Sequence, residues 1–335
     1  MNKSVVTGGA GFVGRNLVDA LVRRGDAVTT IDIGQKPWRD DVTTLDADIR
    51  DKEAMKAAFA GAEVVYHNAS IVHTKNNRVD EVWSVNLGGT ESVLAACQAA
   101  GVPKLVYVSS ASAVYEGRDL ENGDESLPYS TISQAPYADS KIAAEKKVLA
   151  ASGDALKVTA IRPHVIFGPG DNRFLPAILK RARAGKLNYA VGRGDKLSDF
   201  TYIDNLIDAL LLAEEKLSGE AVAAGKAYFI TNGEPYAFFR FVADVLESLD
   251  MPAMKGSIPY WLAYAVAAIA EAWDTLKGGT LNAESGLTRF AVRYMCTHHY
   301  FSIEKARKEL GYQPKITIAE GIRLTTAHLK AHGWS

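Results

Sequence analysis

Short, nearly continuous apolar runs alternate with longer stretches in which apolar residues recur at helical spacing through the first half of the chain. Strands buried on both faces read as such runs, and crossover helices supply the stretches between them. The alternation therefore predicts an α/β fold with a doubly wound parallel sheet. Strands are expected at 3–7, 27–32, 43–47, 63–67, 104–109 and 156–161, the last closing at Arg162-Pro163. Helices are expected at 11–24, 51–59 and 80–100, and Tyr137 opens another. In the first helix Phe12, Leu17, Val18, Leu21 and Val22 form one apolar side, and Gly25-Asp26 turns the chain into the next strand. Beyond residue 163 the alternation loosens: helices at 174–184 and 204–216, a strand at 227–230 returning to the main sheet, then mainly helix. Residues 1–170 with about 204–232 are thus expected to form the sheet domain. About 171–203 with 233–335 would form a smaller, mostly helical C-terminal domain.

Two segments stand outside this rhythm. Residues 116–136 are polar and turn-rich and lead straight into the Tyr137 helix, which reads as an active-site cover. Gly256 to Ala270 carries no charge and includes Tyr260, Trp261 and Tyr264. It falls short of the roughly 20 residues needed to span a bilayer, leaving a buried helix, a substrate-channel wall or peripheral membrane contact.

A net charge of -1 gives no reason to invoke nucleic acid. Cys97 and Cys296 are too few for a disulfide framework, which points to a reducing compartment. Neither they nor the seven histidines show metal-ligand spacing, and His298-His299 is adjacent rather than i, i+4. The N-terminus enters a strand without a basic region, apolar core or cleavage signature, so the expected location is cytoplasmic.

Gly8, Gly11 and Gly14, enclosing Phe12 and Val13, have G-x-x-G-x-x-G spacing at the first strand-to-helix junction. The first glycine permits a tight turn, the second close approach to a pyrophosphate, and the third close helix–strand packing, as in Rossmann-type folds. Asp32, ending the second strand, suits the adenosine ribose hydroxyls and favours NAD, while nearby Lys36 leaves NADP open. Asp48-Ile49 is placed for the adenine edge and face, or Asp48 is a helix cap.

Tyr137 and Lys141 are four apart and leave the same helix face. An ammonium beside a phenol favours the phenolate, making Tyr137 a general acid/base usable near neutral pH. The fifth strand ends in Ser109-Ser110-Ala111-Ser112, at the edge where such sheets bind ligands, and a hydroxyl there can orient a substrate oxygen. Asn86 either supports Lys141 through water or caps a helix.

With these residues quoted, the chain resembles an extended short-chain dehydrogenase/reductase over its whole length. His67-Asn68-Ala69, Asn86 to Thr90 and Arg162 to Asp171 fit that superfamily. Ser109 to Gly117, Asp199 to Asn205 and Tyr228 to Pro235 resemble its 3β-hydroxysteroid dehydrogenase branch. Ile258 to Trp261 and Gly311 to Pro314 resemble the sterol-4α-carboxylate 3-dehydrogenase (decarboxylating) group. The resemblance implies an NAD-binding domain and a substrate domain. It also implies cofactor contacts at Asn68, Ala69 and Ser109, and at the nicotinamide end through Pro163, His164 and Ile166; His164 fits a satisfied wall histidine equally. Many extended members carry the catalytic hydroxyl where this chain has Ala111, so either Ser110 or Ser112 completes the triad, with Ser112 preferred.

The activity implied is oxidation of a 3β-hydroxyl on a sterol-like lipid, with decarboxylation when a carboxylate lies β to the new ketone. Gly225 to Pro235 and Leu287 to Phe290 also resemble 2-alkyl-3-oxoalkanoate reductases of long-chain olefin synthesis. Nucleotide-sugar epimerases or dehydratases are a third class, for which Arg289 and Arg293 would have to hold a pyrophosphate. A non-catalytic NAD-binding regulator is disfavoured by the intact Tyr137/Lys141 pair. By resemblance alone, a homodimer through helices 80–100 and 137–151 is expected.

Overall fold

The computed structural model describes residues 2–75, 77–276 and 288–333. β1 (Lys3–Thr7) runs into α1 (Phe12–Arg24), which ends on Gly25 in the left-handed region at φ 93°. β2 (Ala27–Asp32), β3 (Thr43–Asp46), α2 (Lys52–Phe59) and β4 (Val64–His67) follow. α3 (Val79–Trp83) passes through a π-helical turn at Ser84–Gly89 into α4 (Thr90–Ala100). Next come β5 (Lys104–Val108), β6 (Leu120–Gly123), α5 (Pro136–Ala150), β7 (Lys157–Pro163) and β8 (Ile166–Phe167).

The second half opens with α6 (Phe174–Arg183), β9 (Tyr189–Val191), β10 (Leu197–Ser198) and β11 (Thr201–Tyr202). α7 (Ile203–Glu215), β12 (Lys226–Ile230), β13 (Tyr236–Ala237) and α8 (Phe238–Ser248) continue it. β14 (Gly256–Ile258), α9 (Tyr260–Leu276), α10 (Arg289–Met295), β15 (His299–Phe301), α11 (Glu304–Leu310) and α12 (Ile318–His332) close the chain.

Seven parallel strands form the main sheet in the order β12-β7-β5-β4-β1-β2-β3. Successive side chains point to opposite faces, which is why each central strand is apolar throughout. Val5, Val65, Leu105 and Tyr107 pack with Met55, Phe59, Val93, Ala144 and Val148 from α2, α4 and α5. Val6, Tyr66, Val106 and Val108 pack on the other face with Leu17, Leu21, Leu206 and Leu210 from α1 and α7. The strand order reverses between β1 and β4, and ligands bind such sheets in the crevice beyond the carboxyl ends of strands there. A separate four-stranded sheet has the order β13-β10-β15-β6.

The structure qualifies three expectations. The stretch 80–100 is helical throughout, with its Ser84–Gly89 turn widened to a π-helix where Asn86 is bonded to Ile71 and Gly89 lets Ile49 approach. A Cβ on Gly89 would lie 2.4 Å from Ile49 Cδ1. Residues 116–136 are fastened to the body of the protein, since β6 pairs with β15 and Tyr129 is bonded to α5. The apolar segment after Gly256 is not core: on α9 only Ala263 and Ala267 are buried.

Candidate active site

The cradle at the head of α1 is built by steric necessity. Gly8 has φ 71°, and a Cβ there would sit 2.7 Å from the Ala69 backbone nitrogen; a Cβ on Gly14 would lie 2.1 Å from Gly8 oxygen. Gly11 caps α1 with no side-chain hydrogen bond, so no side-chain cap competes for the first amides of α1. Asn68 Nδ2 donates to Gly8 oxygen at 3.2 Å. Phe12 and Val13 begin α1 directly after this turn. Asp32 accepts from the Ala10 and Ile33 N–H groups at 3.0 and 2.9 Å, which fixes its carboxylate while leaving lone pairs for ribose hydroxyls.

The fit to a dinucleotide has an independent sign. Ser109 Oγ, at the carboxyl end of β5, is buried and has no hydrogen-bond partner among the described residues. Buried hydroxyls are almost always satisfied, so an incoming ligand hydroxyl or amide is the natural partner. Asp48 is not a cap: Arg50 grips its carboxylate, and Asp51 caps α2 through the Ala54 N–H. Ile49 is buried against Gly89.

Tyr137 opens α5 and Lys141 lies one turn on, as their spacing requires. Burial raises the Tyr137 phenol pKa, and the Ser110 hydroxyl pulls it back. Ser112, preferred from sequence, donates to Ser110 Oγ at 2.8 Å. The reason is local: Ala111 starts a short 3-10 turn whose N-cap is Ser110. Lys141 directs its amine to the end of β5. Its Nζ donates to the Val108 carbonyl at 2.7 Å and lies 4.6 Å from the centre of the Tyr107 ring. Burial pushes its pKa down to about 7, with Glu145, a turn further along α5, opposing that fall. His67, bonded to Thr7 and Thr90, is held neutral by burial and by Lys141, its pKa pushed down to about 3.

Asn86 is not a helix cap. Its amide bonds both backbone groups of Ile71 and donates to Ser140 Oγ at 2.9 Å, tying the loop after β4 to α5. His164 takes the wall position: its backbone N–H and carbonyl are both bonded by Thr201 Oγ1, and its ring stacks on His299 at 4.9 Å. Pro163 ends β7 beside Ile230, and Ile166 pairs with Thr201. Residues that the sequence reading passed over are Glu145, Tyr107, Tyr294 and Arg173. Glu145 continues the i, i+4 ladder of Tyr137 and Lys141 and was legible from that spacing. The Tyr294 hydroxyl lies 3.1 Å from the His164 ring nitrogens, a contact between distant segments that no motif announces.

A glycine cradle at a reversal of strand order, with a Tyr–Ser pair and a buried lysine beside it, defines an extended short-chain dehydrogenase/reductase. The 3-beta hydroxysteroid dehydrogenase/isomerase family model matches residues 5–260. The chain belongs to that family and is an NAD-dependent oxidoreductase acting on CH–OH groups. Sterol-4-alpha-carboxylate 3-dehydrogenase, decarboxylating, from Mus musculus is 38% identical over 96% of this chain and 90% of its own. The 2-alkyl-3-oxoalkanoate reductase of Stenotrophomonas maltophilia is 39% identical over 96% of this chain and 97% of its own. The fold is shared with an epimerase of Methanothermobacter thermautotrophicus (TM-score 0.79, 23% identity, 98% and 92% of the two chains). It is also shared with MoeE5 in complex with UDP-glucuronic acid and NAD (0.76, 22%, 98% and 99%).

The depressed Lys141 pKa has a measurable sign. Unfolded, the amine holds its proton up to about 10.4, whereas the fold releases it near 7, so this group makes stability rise with pH between those values. Urea unfolding of the cofactor-free wild type and Lys141→Met should show the difference shifting toward the wild type from pH 7 to 10, by at most about 1.4 kcal/mol per pH unit. A pH-independent difference would mean that the buried amine stays charged.

Proposed function

We propose that the chain oxidises the 3β-hydroxyl of a sterol or steroid-like lipid, and that a 4α-carboxysterol undergoing decarboxylation is the leading candidate. The observation carrying this reading is Tyr137 one turn of α5 from buried Lys141, whose amine meets the Val108 carbonyl at the carboxyl end of β5. Bound NAD supplies the hydride acceptor. Ser110 orients the substrate oxygen, and Tyr137, ionised to the phenolate, takes the hydroxyl proton. Once the ketone exists, a carboxylate on the neighbouring carbon is β to it. The bond to that carboxyl breaks, its electron pair moves to the ketone oxygen, CO₂ leaves, and Tyr137 returns its proton to the enolate.

A second reading, interconversion of 2-alkyl-3-oxo and 3-hydroxy acids, is supported by the near full-length match to the Stenotrophomonas reductase. Asp32 at the ribose position favours NAD-linked oxidation over NADPH-linked reduction. Sugar nucleotides fit less well, because Arg289 is paired with Glu271 and Arg293 with Tyr264 and Gln134. Incubation with NAD and a 4α-carboxysterol, a plain 3β-hydroxysteroid, a 2-alkyl-3-hydroxy acid and a UDP-sugar separates these readings. NADH and CO₂ from the carboxysterol are expected, and Tyr137→Phe should lose about 100-fold or more in kcat. NADH from the dialkyl acid alone would replace the sterol reading with the second one.

We infer further that α9 lies against a lipid surface. Its charged residues Glu271 and Asp274 face the protein, pairing with Arg289 and Lys75, while its large apolar residues face outward. Trp261, Ile269 and Trp273 are 68%, 70% and 58% exposed, and Leu262, Val266 and Leu276 continue the stripe. Bulky aromatic residues flank it, as in helices that lie in a bilayer interface. Tyr264, on the same helix, bonds Arg293, so the outward face adjoins the elements that wall the site. Among the described residues no helix is long and apolar enough to cross a membrane. Flotation with phosphatidylcholine vesicles should capture the wild type and lose Trp261→Ser/Ile269→Ser/Trp273→Ser by roughly tenfold or more. A wild type that ignores vesicles, and whose dimers the same triple variant dissolves, would assign this face to a second copy instead.

A further inference from the structure

The substrates in the names of the two relatives share one fragment besides the oxygen that reacts: a carboxylate on the adjacent carbon. An enzyme that prefers such acids needs a cation about one carbon removed from the oxygen that Tyr137 meets. Lys141 is unsuited, being buried, bonded to the Val108 carbonyl and close to neutral. Arg173 differs on each count. It is exposed, immediately precedes α6, and its guanidinium reaches across to the loop after β4, donating to the Val72 carbonyl at 2.6 Å.

The backbone of Arg173 is rigidly placed. Asp171, mostly buried, accepts from the Arg173, Phe174 and Leu175 N–H groups at 2.8, 3.1 and 2.8 Å. That carboxylate is spent on capping, and among the described residues no ion pair of Arg173 is found. A guanidinium carries five N–H groups in a planar fork, so one bond to Val72 leaves a bidentate face for a carboxylate. The Val72 partner of Arg173 follows Ile71, which Asn86 ties to Ser140, and the Ser140 hydroxyl donates to the Tyr137 carbonyl. Arg173 is therefore bonded to the loop fastened to the head of α5, and its charge also lowers the Tyr137 phenol pKa. In open water an exposed arginine discriminates little, but a large apolar substrate displaces water from the mouth and strengthens the pairing.

We propose that Arg173 receives the carboxylate of a β-hydroxy or β-keto acid and is the residue that separates such acids from neutral 3β-hydroxysteroids. This rests on the functional reading above. One other anion competes for the same guanidinium: the segment holding Arg173 also approaches the cofactor cradle, with a Cβ on Gly170 lying 3.8 Å from Phe12. The cofactor pyrophosphate would then be the group held.

The test compares Arg173→Gln and Arg173→Lys with the wild type on two substrate pairs, a 4α-carboxysterol and its methyl ester, and a 2-alkyl-3-hydroxy acid and its methyl ester. NAD affinity is measured separately by quenching of tryptophan fluorescence. In the wild type the acid should exceed the ester in kcat/KM for at least one pair. Arg173→Gln should lower that ratio roughly 10- to 100-fold, through KM, with NAD affinity within twofold of the wild type and partial recovery in Arg173→Lys. An unchanged acid-to-ester ratio in Arg173→Gln overturns the proposal while leaving the function intact. Equal losses on acid and ester with weakened NAD binding would overturn it in favour of the pyrophosphate. A wild type inactive on every acid and ester sinks the functional reading, and this inference with it.

Discussion

One buried ion pair fixes the face of α5 on which the chemistry depends. Glu145 is fully buried and takes Arg162 Nη2 at 2.5 Å and Nε at 3.1 Å from β7, and the Tyr129 hydroxyl at 2.8 Å from the loop after β6. Tyr137, Lys141 and Glu145 stand at successive turns of one helix, so fastening the third to the sheet sets the height and rotation of the other two. Breaking such a pair by removing one partner costs about 3–5 kcal/mol, because it strands a charge in a low-dielectric interior. Asn86 provides a second tie, holding the loop after β4 to Ser140 on the same helix.

Burial works against the chemistry and is answered by neighbours. It raises the phenol pKa of Tyr137 and lowers the amine pKa of Lys141, so both groups are driven toward their neutral forms. Ser110 and Arg173 pull the phenol back, and Glu145 pulls the amine back. The site is therefore poised by its surroundings rather than by the Tyr–Lys spacing alone.

The sheet was legible because its strands are buried on both faces and its glycines have steric reasons to be glycine. Gly8 and Gly14 sit where a Cβ would collide with backbone, and such positions advertise themselves in a motif. Tyr137 and Lys141 were legible from helical spacing. What the sequence could not carry were contacts between distant segments: Arg162 with Glu145, Tyr294 with His164, Arg173 with Val72. Ser110 and Ser112 differ through a single 3-10 turn, which Ser110 caps, a detail below the resolution of any periodicity. The composition of α9 reads alike for a core helix and an exposed one; only its placement, with acids inward and tryptophans outward, separates them.

The proposed chemistry converges on one arrangement: the Tyr137 hydroxyl, carried by α5 with Ser110 acting on its phenol, is to face the reactive end of the cofactor at the sheet's carboxyl edge. A crystal structure of the NAD complex is the most direct measurement. The account predicts the Tyr137 oxygen within hydrogen-bond reach of Ser110 Oγ, about 2.6–3.2 Å, and turned toward C4 of the nicotinamide ring. A Tyr137 hydroxyl pointing into bulk water, with another side chain occupying that position, would contradict it.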